Sequence, residues 1–79
     1  MSTQRKEPAA TIRVELARRD LSVGWLAEAT DMSPQTIGRR LAKPEDFDLA
    51  ELAAISAALG IPPRQLIEEW AALSEQVAK

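Results

Sequence analysis

Two helix starts lie eleven residues apart in SVGWLAEATDMSPQTIGRRL, residues 22–41, and that spacing leaves little choice of local fold. Ser22 can cap one helix through its hydroxyl. Ser33 followed by Pro34 forms a second cap with a proline in the first turn, where backbone donors have no intrahelical partner and the missing N–H costs nothing. The segment is therefore predicted to be two short helices held at a sharp angle by a tight turn. Leu26, Met32 and Ile37 supply large apolar groups between them, and Ala27 is small where the backbones must approach. The turn centre falls at Asp31. Glycine enters the left-handed region most easily, and Asp is among the few other residues that do so at tolerable cost.

Composition extends this local pattern to the whole chain. With 79 residues there is room for one small domain and a single core, near the size at which stability becomes marginal. Hydrophobic residues make up 46%, mostly Ala and Leu, with one Phe, two Trp and no Tyr, which favours helices packed through aliphatic side chains over a sheet. An all-α fold is expected. The chain has no cysteine and no histidine, so disulfides, thiolate metal sites and the commonest general base are absent. Neither catalytic residues nor a metal or cofactor are expected. The opening MSTQRKEPAA lacks the apolar run of a signal peptide, and no window approaches the length of a bilayer span. A soluble, cytoplasmic protein with no membrane partner is the expectation.

Five helices can be placed along the chain. Residues 1–8 are expected to form a flexible arm carrying Arg5 and Lys6, with Pro8 suited to the first turn of a helix that runs to about Arg19. Ala9, Ile12 and Leu16 share one face of it, and Val14 and Leu21 extend the apolar edge. The second helix covers about 23–29 and the third about 34–42. Phe47 is expected to anchor the following loop, KPEDFD, into the core. Asp48 and Glu51 form the D-x-x-E version of a capping box. Leu49, Leu52, Ile55, Ala58 and Leu59 then recur at helical spacing up to Gly60, a natural stop. Ile61-Pro62-Pro63 breaks the chain before a last helix over 62–78, striped by Leu66, Trp70, Leu73 and Val77. Glu68, Glu69 and Glu75, on its far side, are expected to be solvated. Residues 9–79 thus form one domain, whose last helix extends beyond the bundle.

The net charge of −2 conceals a division. Residues 1–43 carry eight Lys or Arg against five acids, whereas residues 44–79 carry two against seven. A basic half can face phosphate while an acidic half faces away. Gly38, inside the third helix, costs about 1 kcal/mol against Ala, a cost that close approach to a base or backbone would explain.

LAEATDMSPQTIGRRL, followed by FDLAELAAISAALGIPPRQLI, resembles the lambda repressor/Cro-like (XRE-type) helix-turn-helix domains. The likeness covers roughly residues 10–70 and is carried by Leu26-Ala27, by Met32-Ser33 leading to Thr36-Ile37, and by Leu52 with Leu59-Gly60-Ile61. The resemblance implies a compact five-helix bundle whose third helix enters the major groove of an operator in double-stranded DNA. Gln35, Thr36 and Arg39 would then face the bases, while Ile37 points to the core. The chemistry suits the roles: Gln can bond adenine in two places, Arg can take guanine O6 and N7, and the Thr methyl can touch a thymine methyl. Ser22, Ser33, Arg40 and Lys43 fall where phosphate contacts are implied.

Two residue groups stay open between packing and partnership. Trp25 either fills a gap against a neighbouring helix or offers an aromatic anchor to another protein. Leu66, Ile67 and Trp70 close the core, whereas Leu73 and Val77 continue the stripe past the expected domain end and can pair with a second copy. The leading reading is a sequence-specific transcriptional regulator of the small phage-repressor type, with a homodimer and a monomer both open. The alternative keeps the scaffold but uses Trp25, Trp70 or the acidic C-terminal half to engage a host or regulatory protein, as an antitoxin or recombination accessory protein would.

Overall fold

The computed structural model describes residues 7–78, with side chains for all of these but positions 74 and 76–78. Its elements are α1 (Pro8–Arg18), α2 (Val23–Thr30), α3 (Pro34–Ala42), a single 3-10 turn (Pro44–Asp46), α4 (Leu49–Leu59) and α5 (Pro63–Ala78). The chain is all-α, with each helix within a residue or two of its expected bounds. Residues 1–6, the body of the expected arm, lie outside the described part. Pro8, at the inner end of that arm, is the first residue of α1 and is fully buried.

The caps read from sequence set the starts. Ser22 Oγ accepts from the Trp25 N–H at 3.0 Å, and Ser33 Oγ accepts from the Thr36 N–H at 3.0 Å. In α4 the capping box is complete, Asp48 accepting from the Glu51 N–H at 2.7 Å and Glu51 Oε1 from the Asp48 N–H at 3.1 Å. This reciprocal pair satisfies two donors that the helix itself cannot, and each serine cap satisfies one.

Three helix ends share one device. After α1, α2 and α4 a residue with positive φ reverses the chain: Asp20 (57°), Asp31 (59°) and Gly60 (71°). In each case the next residue's N–H returns to a carbonyl five positions back, Leu21 to Leu16 at 2.8 Å, Met32 to Ala27 at 3.0 Å and Ile61 to Ser56 at 3.1 Å. This is the Schellman arrangement, which satisfies orphan carbonyls and turns an apolar residue inward. Leu21, Met32 and Ile61 all pack against the core. The left-handed turn expected at Asp31 is present, and Asp20 repeats it.

Each helix contributes to one core. Ile12 of α1, Leu26 of α2, Ile37 of α3, Leu52 and Ile55 of α4 and Leu66 of α5 are fully buried, each stabilising the fold by roughly 1.5–3 kcal/mol. Phe47 is buried beside them and pins the loop between α3 and α4, as its sequence position suggested. α2 packs on both α3 and α4, while α1 packs on α3 and α5, so α3 is supported from behind by two helices. Ile37 and Leu41, one turn apart, carry that support.

Two apolar assignments differ from expectation. Val14 is 53% exposed, because it sits well round the helix from the Ala9, Ile12 and Leu16 face and the buried Thr11 takes the edge instead. Leu49 is 54% exposed: as the first residue of α4 it precedes the turns that other helices cover. Glu69 is also not a solvated residue. Its Oε1 accepts from the Thr11 hydroxyl at 2.8 Å and its Oε2 from Gln65 at 3.4 Å, tying α5 to α1.

Candidate nucleic-acid interface

On α3, Ile37 and Leu41 face the core, and the opposite side is left to Gln35, Arg39 and Ala42, spaced i, i+4 and i+7. All three are exposed, and Lys43 is exposed at the end of the helix. Ordinary amphipathicity therefore presents a polar ridge two side chains deep in donors, braced by a rigid apolar back.

The ridge is preorganised by the cap at its start. Ser33 Oγ lies 2.9 Å from Thr36 Oγ1 and donates to it, and Arg39 Nη2 donates to the same Thr36 oxygen at 3.4 Å. Ser33, Thr36 and Arg39 thus form one chain of polar contacts along successive turns. The weak Arg39 contact steers the guanidinium without consuming its remaining donors. Arg39 and Arg40 also occupy the last turn of α3, where the helix dipole favours cations.

Arg40, implied as a phosphate contact, lies against α4. Its Nε donates to Glu51 Oε1 at 3.0 Å and its Nη2 to Glu51 Oε2 at 3.2 Å, a two-pronged pair between α3 and the first turn of α4. The hydrogen bond to Glu51, reinforced by the charges of Glu51, Asp46 and Asp48, raises the guanidinium above its already high value. Glu51 was legible in the sequence as a cap, not as the partner of Arg40; eleven residues and a loop separate them, so no helical periodicity relates the two.

The N-terminus of α2 forms the other edge. Ser22 is exposed, and its hydroxyl holds the first-turn N–H of Trp25. An open notch between α2 and α3, lined by Gly24, Ala27, Glu28, Asp31 and Ser33 among others, separates this edge from the ridge. Small residues on the α2 side let the two helices lie close. Trp25, next to the cap, is 37% exposed, with its backbone N–H held by Ser22.

Against this geometry, a family model for the Cro/C1-type helix-turn-helix DNA-binding domain matches residues 11–69. The chain belongs to that family. No curated protein and no solved structure matches it. The Cro/C1-type match begins at Thr11 and ends at Glu69, the two residues whose side chains are hydrogen-bonded across the bundle. As a Cro/C1-type domain the chain is a DNA-binding protein of the transcription-regulator class, as its resemblance to the lambda repressor/Cro-like domains implied. The last turns of α5, beyond Glu69, lie outside the matched region; Trp70 packs on the core, Leu73 is half-buried, and the side chain of Val77 is outside the described part. Among the described residues no cluster of acidic groups has the arrangement of a metal site, and no helix is long and apolar enough to cross a membrane.

Proposed function

We propose that the chain is a sequence-specific repressor of the small phage type, covering an operator with α3 in the major groove, in the cytoplasm of a bacterium or an infected host cell. The observation that carries the reading is the outward ridge of α3. Gln35, Thr36 and Arg39 stand on the side opposite Ile37 and Leu41, with the hydrogen-bonding groups that distinguish adenine and guanine from other bases. Ser22, Ser33 and Lys43 flank them and serve the phosphate backbone, which fixes register without reading sequence. Two copies joined through the end of α5, at Leu73 and Val77, would place their third helices on half-sites roughly 34–36 Å apart.

The test is selection of bound duplexes from a random DNA pool, run in parallel with wild type and Arg39→Ala. An enriched palindrome that the variant fails to enrich supports base readout; loss of one bidentate contact costs about 1–3 kcal/mol at its position. No enrichment by a folded wild type overturns the repressor reading. In that event the exposure of Trp25 favours a protein-binding module, for which Trp25→Ala, not Arg39→Ala, abolishes function.

A further inference from the structure

The cation count of the α3 surface exceeds the number of cations it can offer to DNA. Arg40 is half-buried, with its side chain 24% exposed, and both prongs of its guanidinium are taken by Glu51, itself 16% exposed. A two-pronged pair adds geometric specificity and energy to a single-point contact, and its partial burial makes it less sensitive to salt than an exposed pair. Glu51 is not free to release it. Its Oε1 also accepts from the Asp48 N–H, and its own N–H is held by Asp48 Oδ1, so the carboxylate is fixed by the cap of α4. Were Arg40 to turn to a phosphate, Glu51 would be left half-buried, without its cation, beside a second anion. Asp46 and Asp48 add to the negative field at the same place.

From this we infer that Glu51 is a positioning residue of the DNA-binding surface: it withdraws Arg40 from the phosphate backbone and uses it as a strut between the end of α3 and the cap of α4. The inference rests on the DNA-binding reading and deepens it. It gives the interface one fewer phosphate contact than the sequence suggests, and it sets the angle of α3 through a charged joint.

The salt dependence of binding counts phosphates directly, because each one neutralised steepens the slope of log K against log salt by about 0.9. The probe is the duplex enriched by the selection above, or mixed-sequence duplex DNA where none is enriched. Glu51→Gln is the informative variant, since Gln also serves at this position of a capping box and removes only the charge. Helical circular dichroism establishes that each variant is folded. Wild type and Arg40→Ala are expected to share one slope, while Glu51→Gln, with Arg40 released, is steeper by about 0.9. The affinity of Glu51→Gln relative to wild type then falls about threefold between roughly 50 and 200 mM salt. The double variant returns to the wild-type slope.

A shallower slope for Arg40→Ala overturns the inference, because Arg40 then touches phosphate despite Glu51. So does a Glu51→Gln slope equal to that of wild type. Both results leave the DNA-binding reading standing. A folded wild type that binds no duplex at any salt overturns that reading, and this inference with it.

Discussion

Ser56 lies fully buried on the inner face of α4, and its Oγ has no hydrogen-bond partner among the described residues. A hydroxyl taken out of water without compensation costs roughly 1–3 kcal/mol, and Ala is the better helix former besides. Ser56→Ala is therefore expected to raise the melting temperature by several degrees, about 4–8 °C for each kcal/mol in a domain of this size. A fall in a thermal melt would show that the hydroxyl has a partner or fills space that Ala leaves empty. Glu15 makes a different residue-level case. The hydrogen bond from Arg19 holds its carboxyl below the ordinary glutamate range, with the nearby charges of Arg18 and Arg19 acting in the same sense against burial. Because the folded-state value is the lowered one, the stabilisation is complete above the unfolded value, about 4.3, and is lost as pH falls through the folded value. Melting temperatures of wild type and Glu15→Gln should differ at neutral pH and converge in acid; a constant gap would count against the linkage. Residues whose partners are close along the chain were legible in the sequence: Ser22, Ser33 and Asp48 cap helices that start immediately after them. Thr11 and Glu69 were not, since 58 positions separate them and only the closed bundle brings them together.

At the scale of elements, boundaries were legible because they depend on local backbone chemistry. Pro34 opens α3, and Asp31 and Gly60 turn the chain where a left-handed residue was expected. The return at Asp20 is of the same kind, and Asp20-Leu21 repeats the pattern of Asp31-Met32 and Gly60-Ile61, a left-handed residue followed by an apolar one. Because an L residue in this conformation is strained and glycine is not, Asp31→Gly should stabilise the domain by about 0.5–1 kcal/mol, measured by urea unfolding. A decrease would mean that the Asp side chain contributes more than its backbone costs. The second element-level test concerns α3. A Cβ built at Gly38 meets nothing within 4 Å, so packing in the free protein gives no reason for glycine there. Gly38→Ala should stabilise the helix by about 1 kcal/mol. Gly38 is exposed and borders the ridge of Gln35 and Ala42, so the same methyl group is expected to weaken operator binding. Greater stability together with undiminished affinity would place that edge of α3 away from DNA.

Considered as a whole molecule, the domain carries a net charge of −2 with its cations concentrated in residues 1–43, and several of the cations it has are paired with its own carboxylates. Arg18 and Arg19 pair with Glu15, Arg40 with Glu51, and Arg64 with Glu68 at 4.0 Å, leaving Arg39 and Lys43 as the cations of the α3 ridge. Each further phosphate contact adds to affinity, and a second copy doubles the contacts that one ridge can make. α5 offers the means. It runs on past the last residue of the family match, and the half-buried Leu73 continues the apolar stripe begun by Leu66 and Trp70. Leu73→Glu should spare the core, of which Leu73 is not a member, while placing a charge in the face between two copies. Sedimentation equilibrium at tens of micromolar is expected to give a dimer for wild type and a monomer for the variant. The variant should lose affinity for a palindromic duplex but keep it for an isolated half-site. A monomeric mass for wild type would remove α5 from the interface and leave pairing, if any, to the DNA itself, because two copies would then meet only where adjacent half-sites hold them.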